Sequence, residues 1–278
     1  MPKRFTKTLK QEIIAVTANA VTIEATALVT DIQNKGIAPR ELDKCISYTE
    51  MLGIQKEILN KLKEFDSKRR LPYHNVKHSR SVFNRVVQLT RGSDLARSDI
   101  QLIKLAALFH DYVHGFSFSH SKLKHLSFEE QSAVYADKYG KKIGLSTRQR
   151  IVVYGLIIST TFSKPHINPD TRLEKILVIA DLGGFINSSK DWLLESWQVT
   201  QEIPFSHRPG NLKQWLREQE RFLDYVKMRL TPESIALGWH LALEKKFSVI
   251  KRLMKNLSYY KPYVPLVKKI RQTLPTAV

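Results

Sequence analysis

The stretch that decides the fold is LAALFHDYVHG, residues 105–115. Together with Leu102 and Ile103, its first five residues are apolar on nearly every side, which predicts a deeply buried helix that ends near residue 112. The pair His110 and Asp111 therefore stands at the end of a buried helix, which is costly unless a partner compensates its polarity. A divalent metal ion would do so, because imidazole and carboxylate groups are common ligands of such ions.

Helical periodicity continues on both sides of this stretch, and no alternating strand pattern occurs. Ser98 or Asp99 is expected to cap the buried helix, and Gly183-Gly184 to end a later one. The sequence therefore predicts an all-α fold, a helical bundle with extra N-terminal and C-terminal helices. Apolar residues at three- and four-residue steps predict helices at 8–33, 41–65, 75–91, 99–112, 127–141, 146–161, 171–182, 190–202, 211–229 and 232–257.

The chain divides into three predicted regions. Residues 1–66 are expected as N-terminal helices packing on the core, residues 67–257 as the core, and residues 258–278 as a basic C-terminal tail after two prolines. The apolar run at 11–33 is interrupted by acids and threonines, so it predicts an amphipathic helix rather than an export signal or a membrane span. With a single cysteine, Cys45, and therefore no intrachain disulfide, a cytoplasmic protein is expected.

The formal net charge of +19 is unusually high for 278 residues. Residues 1–10 contain four cations and no acid, and no Asp or Glu follows Glu244. Such a charge attracts phosphorylated metabolites, nucleic acid and anionic lipid, without selecting among them. The basic ends are either a solvated surface or a docking surface for nucleic acid or an anionic membrane.

Histidines concentrate around the deciding stretch. His74 and His78 are four residues apart, as are His110 and His114, so each pair can share one face of a helix. Asp181 resembles Asp111 in its position, because it follows the apolar run ILVIA, which is expected to be buried. The sequence thus predicts that two or three helices deliver ligands to one point. Histidines outside this set are expected as packed, surface or loop residues: His120, His125, His166, His207 and His240.

The motifs YHNVKH (73–78), LAALFHDYVHG (105–115) and IADL (179–182), in that order, resemble the HD-domain superfamily of metal-dependent phosphohydrolases. This family is all-α and binds metal through a His, a His-Asp doublet and a distant Asp. The resemblance implies that His78, His110, Asp111 and Asp181 bind one or two divalent ions, with Mg, Mn, Zn and Fe all open. Asp111 would serve in catalysis as well as in binding.

The first two motifs are similar to the cyclic-nucleotide phosphodiesterase branch of this superfamily. That likeness implies that His74 donates a proton to the leaving oxygen and that His114 helps to hold the attacking water. A purine-clamping glutamine, typical of the branch, has no certain counterpart, and Gln219 is only a candidate.

The segment FEEQSA (128–133) resembles an Asn-Glu-Glu-x-Ser-Ala element of other HD phosphohydrolases. It implies that Glu129 or Glu130 supports a second metal site through water. The chain departs from the family where Phe128 replaces the usual Asn, and in the long, histidine-bearing loop 116–126.

The expected function is hydrolysis of a phosphate ester, of a nucleotide-like molecule, by water that the metal activates. Lys77 and Arg80, and also Lys104, are candidates for holding the phosphate. Alternatives are a specific cyclic-nucleotide 3′,5′-phosphodiesterase, a di-iron oxygenase, and a basic nucleic-acid- or membrane-binding protein that retains the HD fold. The sequence leaves the oligomeric state open.

Overall fold

A computed structural model describes residues 43–69, 71–114, 126–161, 169–256 and 263–273. The helix predicted at 8–33 lies outside these residues, as do residues 116–125 of the loop after the deciding stretch. The same holds for His120, His125 and His166.

The described residues are mainly helical, and no β-strand occurs among them. The predicted all-α fold is confirmed. Two short 3-10 turns, Gly183–Ile186 and Phe205–His207, accompany the α-helices. The α-helices are α1 (Tyr48–Arg69), α2 (Val76–Leu89), α3 (Arg97–Phe109), α4 (Phe128–Lys142), α5 (Thr147–Ser159), α6 (Arg172–Leu182), α7 (Ser189–Glu202), α8 (Leu212–Lys227), α9 (Pro232–Ala236), α10 (Trp239–Lys255) and α11 (Val264–Thr273).

The most apolar helix, α3, occupies the centre of the core. It contacts α1, α2, α4, α5 and α6, and its residues Leu105 to Phe109 are almost completely buried. Each large apolar side chain buried in this way stabilises the fold by about 1.5–3 kcal/mol. Because the C-terminal half of α3 is buried among these helices, the polar residues that follow Phe109 also lie in the interior.

The starts of most helices follow from their capping residues. Ser127, Ser146 and Thr171 each accept a hydrogen bond from the backbone N–H three residues later and form a capping box before α4, α5 and α6. The prediction for α3 was wrong, because this helix begins at Arg97 after Ala96, which makes no side-chain cap. Asp99 instead lies in the first turn, where its negative charge complements the helix dipole.

Two predictions near the C-terminus also differ from the structure. The single helix expected at 232–257 is broken into α9 and α10 at Gly238, whose φ of +74° interrupts helical geometry. Part of the expected basic tail forms helix α11, with Pro265 in the first turn, where its missing N–H costs little. The buried residues Leu266, Val267 and Ile270 hold α11 to the core, where it contacts α8.

Helix α6 ends at the predicted position but in a different way. Gly183 has a φ of −69°, so it does not use the left-handed conformation that glycine usually supplies after a helix. A Cβ atom at Gly183 would instead lie 2.7 Å from Cδ of Arg85, so glycine is required for close packing. None of the described helices is long and apolar enough to cross a membrane.

Candidate metal centre

Three segments deliver the predicted ligands to one point in the core. His78 lies in the first turn of α2, which starts where Asn75 accepts hydrogen bonds from the backbone N–H groups of Lys77 and His78. His110 and Asp111 follow the last residue of α3, and Asp181 precedes the last residue of α6. Both α3 and α6 contact α2, so the three segments meet.

The four side chains converge on a small volume. The Nε2 atoms of His78 and His110 are 3.1 Å apart, and Oδ1 of Asp181 is 3.0 Å from the first and 3.4 Å from the second. Oδ2 of Asp111 is 3.2 Å from His78 and 3.1 Å from His110. One ligating atom from each residue lies within 4.8 Å of all the others. The structure therefore brings together the set expected from the sequence.

The carboxylates of this cluster favour a positive charge beside them. The Nδ1–H group of His110 donates a hydrogen bond to the carbonyl of Ala107 at 2.9 Å, which leaves Nε2 as the atom that faces the carboxylates. Burial alone would lower the pKa of His110, but Asp111 and Asp181 raise it well above its ordinary value. Burial likewise opposes ionisation of Asp111, yet His110 and His74 hold the pKa of that carboxyl well below its usual range.

A divalent ion fits this arrangement better than a proton does. One proton can join only two of the four atoms, whereas an ion in the middle can contact all of them. Separations of 3.0–3.4 Å between neighbouring atoms match the ligand edges around an ion bound at about 2.1 Å. The backbone carbonyl that fixes the His110 ring is also a typical outer partner of a metal-binding histidine.

The HD-domain family model matches residues 75–182. This span starts at the cap of α2, ends with the last residue of α6, and contains all four residues of the cluster. Residues 75–182 form an HD domain. The resemblance to the HD domain inferred from the sequence is confirmed over these residues.

Among solved structures, the chain is similar to the phosphodiesterase domain of the rhodopsin phosphodiesterase of Salpingoeca rosetta. The two are 16% identical, the match covers 86% of this chain and 95% of the other, and the TM-score is 0.48. A search of curated protein sequences found no match.

A second cluster, formed by His74, His114 and Glu202, lies beside the HD-domain ligands. Glu202, the last residue of α7, accepts backbone hydrogen bonds from Tyr73 at 2.6 Å and His74 at 3.0 Å, and its other oxygen is bonded to Nδ1 of His74. The carboxylate thus fixes both the backbone and the ring of His74. Burial lowers the pKa of His74, but Asp111 and Glu202 outweigh it and raise that pKa.

The rings of His74 and His114 are stacked, with centroids 3.9 Å apart and planes 22° from parallel. Because ring nitrogens bind metals in the plane of the ring, nearly parallel stacked rings direct their lone pairs side by side rather than toward one ion. Burial lowers the pKa of His114 to about 4, so this ring is neutral near pH 7. The arrangement suits a role for His74 as an oriented proton donor, with the neutral ring of His114 stacked against it.

Residues around α4 complete this side of the site. Phe128, where the family usually has Asn, packs its ring 4.8 Å from that of His114. Glu130 is engaged in the capping box of α4, since its carboxylate accepts a hydrogen bond from the N–H of Ser127 at 2.6 Å. Glu129 remains the candidate for supporting a second ion, because its pKa is raised by burial and by the charge of Asp111, which its carboxyl group senses.

The candidate phosphate-binding cations do not gather at the cluster. Lys77 and Arg80 are exposed, although Lys77 lines a small cavity next to His78. Lys104 is partly buried on α3, and this burial lowers its pKa. His207 and His240 lie outside both clusters, on the 3-10 turn after α7 and on α10.

A groove of about 350 Å³ runs beside the metal centre. It begins at Tyr73 and Leu182, next to His74 and Asp181, and continues between α7 and α8. Gln219 lies in its wall. Its apolar and aromatic lining residues are Tyr73, Leu182, Trp192, Val199, Ile203, Phe222 and Tyr225.

Two functional candidates had not been expected from the sequence. Glu202 ends a predicted helix with no motif around it, and it lies 128 residues from the histidine that it contacts. Arg85 did carry a signal, because it lies in the buried stripe of α2 between Val82 and Leu89, where a charge is unusual.

Proposed function

We propose that this chain hydrolyses a phosphate ester of a nucleotide-like molecule, with a divalent metal ion as cofactor. The observation that carries the proposal is the convergence of His78, His110, Asp111 and Asp181 inside the HD domain. These four residues would hold the ion. When bound, it would acidify a coordinated water and neutralise charge on the phosphoryl oxygens.

His74 would act as the general acid. Its Nδ1 atom is hydrogen-bonded to Glu202, so the other ring nitrogen, Nε2, would donate the proton to the departing oxygen. The raised pKa favours the protonated form of this ring. The stacked His114 restricts its orientation. Glu202 would stabilise the charged imidazolium before the proton is transferred.

The groove between α7 and α8 supports a nucleotide-like substrate. A planar base fits a lining of aromatic and aliphatic side chains, and Tyr73 connects this lining to the metal centre, since its ring lies 4.6 Å from that of His78. The phosphate would then lie at the ion and the leaving oxygen near His74. The high positive charge of the chain favours approach of an anionic substrate.

A 3′,5′-cyclic nucleotide is the second candidate substrate. The observation in its favour is Gln219, whose amide lies in the wall of the groove and offers both a donor and an acceptor to a base. Neither the comparisons nor the described residues support nucleic-acid or membrane binding as the function of the chain.

Metal analysis of the purified chain, followed by a screen of phosphate esters, tests the proposal. We expect at least one divalent ion per chain, loss of activity on chelation, and recovery on adding the ion back. Asp111→Ala should lose both the ion and hydrolysis, whereas Glu244→Ala, an exposed change on α10, should lose neither.

The substrate panel separates the two candidates. Cleavage of linear nucleoside phosphates or simple monoesters favours the general phosphohydrolase, and cleavage restricted to cyclic nucleotides favours the phosphodiesterase. A metal-loaded chain that cleaves no ester in either class would contradict the proposed function.

A further inference from the structure

The buried stripe of α2 contains a charged residue that takes no part in the proposed chemistry. Arg85 lies two turns after His78 on the same face of the helix and is 6% exposed. A buried charge is costly unless other groups compensate it, so a guanidinium at this position needs a structural or functional reason.

Arg85 contacts the end of the helix that carries Asp181. Its Nη1 group donates a hydrogen bond of 3.1 Å to the carbonyl of Ala180, the residue immediately before this ligand. The last carbonyls of a helix carry partial negative charge, which a cation stabilises. The arginine therefore links the helix of His78 to the helix of Asp181.

The two glycines that follow α6, Gly183 and Gly184, leave space beside this contact. A Cβ atom at Gly183 would lie 2.7 Å from Cδ of Arg85, and one at Gly184 would lie 3.0 Å from a carboxylate oxygen of Glu195. Glu195, on α7, also accepts hydrogen bonds from Asn187 at 3.0 and 3.1 Å. The absence of side chains at these two glycines thus allows Arg85 and Glu195 to pack beside the end of α6 that carries Asp181.

A polar cavity of about 140 Å³ lies next to His78, and Tyr73, Arg85 and Glu195 line it. The Nε2 atom of His78 faces the ligand cluster, while Nδ1 has no hydrogen-bond partner within the described part of the chain. A metal-binding histidine usually donates this second N–H to a carboxylate, a carbonyl or water. The cavity is polar and large enough for water to complete such a link.

We infer that Arg85 is a positioning residue that fixes Asp181 against His78. This inference rests on the proposed metal site. The guanidinium ties the end of α6 to α2, so the carboxylate of Asp181 is held within reach of both histidines. Loss of this tie would leave all four ligands in the chain but would weaken their convergence.

Measurements of metal affinity distinguish a positioning role of Arg85 from a purely structural one, because only a positioning residue changes the affinity for the ion without unfolding the chain. We would measure Zn²⁺ binding to the metal-free, full-length chain by competition with a chelator, well below the melting temperature. Arg85→Met should weaken Zn²⁺ binding about tenfold. This is the lower end of the loss caused by removing a direct outer partner of a metal ligand, because Arg85 bonds to the backbone beside Asp181 rather than to its carboxylate. Arg85→Lys keeps the charge without the forked geometry and should give a smaller loss.

Leu89→Ala is the matched control, because Leu89 lies on the same buried face of α2, one turn beyond Arg85. It should lower the melting temperature but change Zn²⁺ affinity less than twofold. If Arg85→Met does not fold, Arg85→Lys carries the test. The inference is overturned if the folded Arg85 variants bind Zn²⁺ as tightly as the unsubstituted chain.

Failure of this inference differs from failure of the proposed function. A chain that binds Zn²⁺ in an Arg85-dependent way but cleaves no phosphate ester contradicts only the proposed function. A chain that cleaves esters and binds the ion equally well without Arg85 contradicts only the positioning role. An unsubstituted chain that binds no ion contradicts both.

Discussion

Two clusters with the same kinds of side chain lie next to each other in this protein. His78, His110, Asp111 and Asp181 direct four atoms at one point, and the histidines and Asp111 are at least nine-tenths buried. The second cluster, formed by His74, His114 and Glu202, is less buried. Its two imidazole rings are stacked, and the carboxylate of Glu202 is already hydrogen-bonded to the ring of His74. The two clusters therefore differ in the direction of their ligating atoms rather than in composition, which is why we propose a metal site for the first and a proton donor for the second.

The difference originates in the segments that carry the residues. The first cluster lies wholly inside the HD domain and uses the ends of α3 and α6, which packing against α2 holds in place. The second uses His74, one residue before the matched span, and Glu202, twenty residues after it. The candidate metal centre is therefore internal to the domain, whereas the proposed proton donor depends on how α7 packs beside it.

The largest predicted effect contrasts one histidine from each cluster. His78→Gln should lose the metal and lower hydrolysis by about 10³-fold or more, because metal assistance contributes several kcal/mol to such reactions. His74→Gln should keep the metal content of the unsubstituted chain. Metal analysis of both purified variants checks this, and loss of the ion in His74→Gln would abolish the distinction between the clusters.

The next effect concerns the leaving group. If His74 donates a proton, His74→Gln should lower kcat by about 10²- to 10⁴-fold for nucleoside esters. The loss should be much smaller for p-nitrophenyl esters, because their leaving group departs as a stable anion without protonation. Parallel kinetics on the two ester types measure the contrast, and equal losses would argue against a general acid.

Glu202 should influence the pH dependence of the reaction. It helps to raise the pKa of His74, which acts only when protonated, so activity is present below that pKa and falls as pH rises through it. Glu202→Gln should shift the alkaline limb to lower pH by roughly one unit, as expected for loss of a paired charge. Profiles of kcat/KM against pH, with Glu244→Gln as control, test this; an unshifted limb contradicts it.

The smallest predicted effect lies at the position that departs from the family pattern. Phe128→Ala removes the ring that packs on His114, and an aromatic pair contributes about 0.5–1.5 kcal/mol. We expect kcat to fall roughly two- to tenfold with unchanged metal content. Phe128→Tyr keeps the ring and should restore the rate; an equal loss in both variants would show that ring packing is not responsible.

Local signals predicted much of the fold and the residues of the first cluster. Each of its carboxylates follows an apolar run, LAALF or ILVIA, and such a run predicts both a helix and its burial. Where local signals were weak, the prediction erred. Asp99 looked like a cap for α3 but lies within its first turn, and Gly238 was not expected to divide the helix near the C-terminus.

The sequence by itself thus determined the all-α class, the HD domain and the candidate ligands His78, His110, Asp111 and Asp181, because periodicity and motif order are properties of neighbouring residues. Only the tertiary structure decided that Glu202 holds His74, that His114 stacks on it, and that Arg85 reaches the carbonyl of Ala180. These contacts join residues from separate helices, and their existence depends on how the helices pack, which no local pattern records.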